Sequence, residues 1–220
     1  MRIGLFGGTF NPIHFGHIHV SKEIKNKFEL DQLYMIPSAI PPHKKRQGVA
    51  DARDRLNMTR LAVSSLDGYL VSDVEITRSG PSYTVDTIDY FKNTLPENAK
   101  IFLILGMDAF LEIDTWKSYK KLFTKLPLII MSRPGTEHVG FQELSSHIRE
   151  KISNHYYFQK NCNCFKHQTK QSIYLVKVSP YDISSTDIRK IIRRKQSLKY
   201  LVPEKVEQYI KNKGLYLHDI

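Results

Sequence analysis

Short apolar runs alternate with helical patterns along most of the chain, and this alternation restricts the fold more than any other feature. Residues 3–6, 33–36, 69–74, 101–105, 128–131 and 173–178 are strand-length apolar runs. Between them, residues 16–28, 51–66, 83–95 and 116–125 have helical spacing, as does the stretch around Ala109. Ile18, Val20, Ile24 and Phe28 share one side of the first helix, and Leu56, Arg60 and Val63 fall near one side of the second. Strand–helix alternation predicts an α/β fold with a doubly wound parallel sheet covered on both faces. Such sheets bind ligands at the carboxyl ends of their strands.

The 220 residues suit a single domain with a core over about 1–182 and a small helical part over about 183–220. Residues 143–172 are the least regular, polar stretch and read as a surface insertion. Two cysteines cannot build a disulfide framework for this length, so a reducing, cytoplasmic setting is expected. No apolar run approaches the roughly 20 residues of a membrane span, and no membrane partner is expected.

Charge points to anionic partners. The 33 Lys and Arg exceed the 22 Asp and Glu, for a net charge of +11. Much of the excess falls between Arg189 and Lys213, where nine cationic residues face only Glu204 and Glu207. Leu198, Leu201, Val202, Val206 and Ile210 there have the spacing of buried helix faces. No aromatic-studded motif accompanies the charge, so a solvated basic face beside an anionic-substrate site is expected, and no nucleic acid.

Two motifs carry chemistry. The first, Gly7-Gly8-Thr9-Phe10-Asn11-Pro12-Ile13-His14-Phe15-Gly16-His17, follows the first strand directly. Paired glycines let backbone approach a phosphate, and Gly16 lets a helix begin close to it. His14 and His17, three apart at the helix start, can face one place. Two imidazoles beside a helix N-terminus suit a polyphosphate and the charge that develops on it. The segment is neither a Walker A loop nor a GxGxxG fingerprint. The second motif is Asp182-Ile183-Ser184-Ser185-Thr186-Asp187-Ile188-Arg189. Ser184 with Asp187 resembles a capping box, which puts Ser185 and Thr186 in a first helical turn with Arg189 one turn on. A phosphate there would meet amides, hydroxyls and the helix dipole.

With these residues, and with Pro41-Pro42-His43-Lys44, Pro81-Ser82-Tyr83-Thr84-Val85-Asp86-Thr87, Gly106-Met107-Asp108, Trp116 and Ser132-Arg133-Pro134-Gly135 in order, the chain resembles the HxGH nucleotidylyltransferases. Within them it is similar to the branch that adenylylates nicotinate mononucleotide. The resemblance covers roughly residues 1–140 and 173–217. It implies a Rossmann-like fold, and transfer of the adenylyl group of ATP to nicotinate mononucleotide, with Mg²⁺ carried on the ATP phosphates. Its catalytic residues would be His14, His17 and Arg189. Gly7, Gly8, Thr9, Phe10, Gly106, Asp108, Ser184, Ser185 and Thr186 would bind ATP. Lys44, Arg46, Tyr83, Thr84, Trp116 and Arg133 would bind the mononucleotide. A homo-oligomer is compatible with it. Nicotinamide mononucleotide and phosphopantetheine are alternative acceptors, and a basic RNA-binding protein on a nucleotide fold is the non-enzyme alternative. His155, Cys162, Cys164 and His167 could be imagined as a zinc site, but Cys-x-Cys is not the usual spacing, and incidental thiols are expected.

Overall fold

A computed structural model describes residues 1–39, 48–132 and 141–217. Strands β1 (Arg2–Gly8), β2 (Gln32–Pro37), β3 (Tyr69–Val71), β4 (Lys100–Gly106), β5 (Leu128–Ser132), β6 (Tyr157–Gln159), β7 (Cys164–Lys166) and β8 (Ile173–Lys177) form one sheet. Their order is β3-β2-β1-β4-β5-β8-β7-β6. The β2–β3, β4–β5 and β5–β8 pairs are parallel, with Leu103 opposite Leu128 and Leu128 opposite Ile173. The α/β expectation holds. The order reverses direction at β1, and the carboxyl end of that strand carries the first motif.

The chain divides into two compact units. One comprises Met1–Leu5 with Tyr83–Pro180, and the other Phe6–Ser82 with Tyr181–Ile220. In the first unit, Ile101 to Leu105 of β4 and Leu128 to Met131 of β5 are buried without a break. Uninterrupted burial is what a parallel strand covered on both faces requires. This unit also holds α4 (Thr84–Thr94), α5 (Met107–Leu111), α6 (Tyr119–Lys125) and α7 (Phe141–His147). Phe110 and Phe123, from α5 and α6, meet edge to face in its core.

The second unit contains α1 (Phe15–Lys27), α2 (Ala52–Val63), α3 (Val74–Thr77), α8 (Ser185–Arg193) and α9 (Glu204–Lys213). Ile18, Val20, Ile24 and Phe28 are buried together, as their spacing predicts. Helices α8 and α9 bury Ile188, Ile192, Val206 and Ile210 and turn their lysines outward, whereas Leu198 and Val202, also buried, and the part-buried Leu201 lie in the connection between them and not on a helix face as expected. That arrangement accounts for the basic stretch as the solvated side of amphipathic helices. Helices α2 and α9 are joined through Tyr209, whose hydroxyl donates to Asp54 (2.8 Å) and accepts from the Asn57 amide (3.1 Å).

Several expectations need correction. The strand expected over residues 69–74 ends at Val71, because Val74 begins α3. On α2 it is Arg55 that is buried, at 1% exposure, whereas Arg60 is exposed and pairs with Asp73 at 3.2 Å. The segment over 143–172 is regular: α7 runs into a π-type turn (Ile148–Ile152), and β6 and β7 pair antiparallel, with β7 antiparallel to β8. These strands are three residues each, too short to show an alternating pattern. Phe158, Phe165 and Phe141 cluster around them. The two cysteines are not free thiols; Cys162 and Cys164 are joined as a disulfide beside this hairpin. Among the described residues, no group of three His, Cys, Asp or Glu could hold a metal ion. No helix among them is long and apolar enough to cross a membrane.

Burial holds the imidazole of His147 below its ordinary pKa, against an opposing pull from Asp114. Its Nε2 is buried without a hydrogen-bond partner, and its ring stands edge-on to Phe110. The neutral ring suits the folded state, so the unfolded chain binds the proton more readily. Stability should therefore be complete above about pH 6.5 and fall as the pH drops below it, levelling off under the folded pKa. Denaturant midpoints between pH 5 and 8 should show this step, and His147→Phe should shrink it. An unaltered step would assign it to other groups.

Candidate active site

The first motif is shaped by what grips its backbone. Phe10 is buried in a left-handed conformation at φ 47°. Asn11 is buried with its side chain spent on structure, accepting from Ala50 N–H (3.0 Å) and donating to the Gly48 carbonyl (2.8 Å). The Arg55 guanidinium donates to the carbonyls of Thr9 (2.7 Å), Ala50 (3.0 Å) and Ala39 (3.1 Å). The Arg189 guanidinium donates to the Asn11 carbonyl (2.8 Å) and to Thr186 Oγ1 (3.3 Å). Ser185 Oγ donates to the Pro12 carbonyl (2.9 Å). Three loop carbonyls are thus claimed by side chains of α2 and α8. Burial lowers the pKa of both guanidiniums, and Tyr216 opposes that in each case.

The histidines sit where this loop becomes α1. His14 is the N-cap residue, buried to 3% exposure. His17 lies one turn on, and the ring centroids are 3.7 Å apart. The His14 backbone N–H donates to His17 Nδ1 at 3.3 Å. An imidazole that accepts at Nδ1 carries its proton at Nε2 when neutral, so His17 presents an N–H donor. A Cβ on Gly16 would lie 2.9 Å from His14 Nδ1, and one on Gly8 would lie 2.8 Å from the Phe10 ring. Both glycines are therefore needed for packing around this site as well as for access to it. Ser184 caps α8 by accepting from Asp187 N–H (3.1 Å) and donating to its carboxylate (2.6 Å). The two sequence motifs thus meet within one unit, through Ser185 and Arg189.

The remaining described candidates lie in the other unit. Gly106 ends β4, and a Cβ on it would come 2.5 Å from Asp108 Oδ1, so only glycine lets that carboxylate fold back. Tyr83 caps α4, and Thr84 is its first residue. Trp116 follows a 3₁₀ turn (Ile113–Thr115) and is part-buried rather than fully in the core. Lys117, which sequence reasoning passed over, draws these pieces together. Its ammonium lies 4.5 Å over the Tyr83 ring and 3.2 Å from the Asp86 carboxylate in the first turn of α4. Its only signal was its place beside Trp116. Lys44, Arg46 and Arg133 lie outside the described residues.

A Ser153–His167 contact of 3.0 Å in the same unit has the wrong tautomer for nucleophilic catalysis. His167 Nδ1 accepts from the amides of Thr169 (3.1 Å) and Lys170 (3.2 Å), so its proton sits on Nε2, facing the serine.

The strand–loop–helix with paired histidines, backed by a capped second helix, defines a class. Residues 5–191 match the family model described as cytidylyltransferase-like, and the chain belongs to that family. It is similar to the probable nicotinate-nucleotide adenylyltransferase of Desulfatibacillum aliphaticivorans, 42% identical over 99% of this chain and 100% of the relative. The protein of the same description from Geobacter sulfurreducens (strain ATCC 51573 / DSM 12127 / PCA) is 37% identical over the whole of both chains. Among solved structures, the Plasmodium falciparum nicotinic acid mononucleotide adenylyltransferase complexed with NaAD shares the fold. It has a TM-score of 0.72 and 21% identity, covering 98% of this chain and 97% of the other.

Proposed function

We propose that this chain transfers the adenylyl group of ATP to nicotinate mononucleotide, releasing pyrophosphate and forming nicotinate adenine dinucleotide. The observation that carries the reading is the joining of His14, His17 and the N-terminus of α8 around one loop whose carbonyls are tied back. In this reaction a phosphate oxygen of the mononucleotide bonds to the α-phosphorus of ATP as the bond to the β-phosphate oxygen breaks. The nucleophile is anionic at neutral pH and needs no general base. The tasks left to the protein are positioning and relief of charge on the leaving group.

The residues divide accordingly. Amides of Gly7, Gly8, Thr9 and Phe10 line the ATP site. His17 donates from Nε2 to the triphosphate beside His14. Ser184 holds the first turn of α8 in shape. The hydroxyl hydrogen of Ser185 is committed to Pro12, so Ser185 and Thr186 serve the β/γ end mainly through backbone N–H groups of the helix start. Arg189 has further N–H donors beyond the two in use. Gly106 and Asp108 suit a ribose hydroxyl. Magnesium prefers oxygen ligands, and the nitrogen donors of His14 and His17 do not offer them. Mg²⁺ therefore belongs on the ATP phosphates, where it neutralises charge when bound, with His14, His17 and Arg189 holding those phosphates.

For the mononucleotide, the first turn of α4 offers Thr84 and the backbone N–H groups of Thr84 and Val85 to a carboxylate, Trp116 a face for a pyridine ring, and Tyr83 a rim braced by Lys117. Lys44, Arg46 and Arg133 remain assigned to its phosphate. Trp116→Ala should raise the KM for nicotinate mononucleotide about tenfold, an aromatic-contact loss of about 1.4 kcal/mol, with kcat little changed. An unchanged KM would take the indole out of the pocket.

The activity itself is tested by pyrophosphate release from ATP and Mg²⁺ with separate acceptors. Release with nicotinate mononucleotide should exceed release with nicotinamide mononucleotide at least tenfold. Equal rates would keep the reaction and remove acid selectivity. Release with phosphopantetheine alone would reassign the acceptor site.

A further inference from the structure

Tyr216 carries two costs at once. It lies three residues beyond the end of α9, in a left-handed conformation at φ 67° that a bulky side chain adopts rarely. It is buried to 4% exposure, yet its hydroxyl has no hydrogen-bond partner. An orphaned buried hydroxyl and a strained backbone both work against folding, and such features gather where function retains them.

Its surroundings suggest what that function is. Tyr216 lies within electrostatic reach of the guanidiniums of Arg55 and Arg189. Those two arginines hold the carbonyls of Thr9 and Asn11 from behind. Arg55 spends three of its N–H donors on backbone carbonyls. Arg189 gives one to Asn11 and one to Thr186. Burial holds the phenol well above its usual pKa, so it is neutral and able to accept from one group while donating to another.

We propose that Tyr216 is a positioning residue for Arg189, its buried hydroxyl accepting a guanidinium N–H when the triphosphate of ATP draws Arg189 away from the Asn11 carbonyl. The proposal rests on the adenylyl-transfer reading. Such a bond would give the orphaned hydroxyl a partner. It also gives a role to a tyrosine at a position where a phenylalanine would fold at lower cost.

Tyr216→Phe removes the oxygen alone. In the full chain it should lower kcat/KM for ATP about tenfold, the scale of one hydrogen bond to a charged group, and leave the KM for nicotinate mononucleotide unchanged. Its melting temperature should equal or exceed that of the parent, because an unsatisfied buried group is gone. Added to Arg189→Ala, it should change ATP affinity by less than twofold, since its partner is already missing. Calorimetric titration of ATP reads the same ordering without turnover, so the test survives failure of the acceptor assignment. Lack of adenylyl transfer by the parent chain would sink the activity; a parent-like ATP affinity in Tyr216→Phe would sink this proposal. So would full additivity with Arg189→Ala, or a loss of activity that merely follows a lowered melting temperature.

Discussion

Replacing His17 with alanine should lower kcat by about 10²–10³, while the KM for nicotinate mononucleotide stays within about twofold. The size follows from the tautomer. The His14 N–H occupies Nδ1 of His17 at 3.3 Å, and so fixes the proton on Nε2 as a donor. A donor aimed at a phosphate helps most where charge grows, and that is in the transition state, as pyrophosphate leaves. Losing such a donor costs about 3–4 kcal/mol of barrier. The mononucleotide does not depend on this group, so its KM is the internal control. Steady-state kinetics with each substrate varied settles the matter. Equal losses in turnover and in mononucleotide binding would place the ring elsewhere.

The second large effect concerns stability. Arg55 is 1% exposed and satisfies three carbonyls that diverge around it, those of Thr9, Ala50 and Ala39. Arg55→Leu fills some of the volume but leaves three carbonyl acceptors, one buried and two partly buried, without their donors. At about 1 kcal/mol or more each, the loss is about 3 kcal/mol or greater. For a domain of this size that lowers the melting temperature by roughly 6–12 °C. Arg55→Lys keeps the charge, but an ammonium on a flexible stem cannot reproduce the planar fork. It should recover less than half of the loss. A lysine variant as stable as the parent would show that charge, not geometry, is what the position requires. Catalysis should suffer in both variants, because the released Thr9 carbonyl belongs to the loop that carries the histidines.

Arg55 also marks where sequence reasoning stopped short. The stretch from Ala52 to Val63 reads as a helix with a polar and an apolar side, and nothing separates Arg55 from Arg53 or Arg60 on that pattern. Its burial is set by carbonyls from two distant loops, which local spacing does not encode. The histidine motif was legible because its parts are neighbours in the chain: the glycines, the strand before them and the helix after them. The capped start of α8 was legible for the same reason, down to the Ser184–Asp187 bond. The joining of the two motifs through Asn11, Pro12, Ser185 and Arg189 was expected from resemblance alone. Lys117 was missed because a lysine in a surface turn is ordinarily solvated, and its value comes from Tyr83 and Asp86 at the start of α4. The β6–β7 hairpin escaped because three-residue strands carry no period.

The backbone of the first motif has a consequence for how the cost of catalysis is distributed. With Thr9 and Pro12 each tethered through its carbonyl, the amides of this loop acquire their orientation when the polypeptide folds. ATP therefore meets a cradle already cast and need not order it. The entropy of arranging that loop is surrendered once per molecule of protein made, not once per molecule of product.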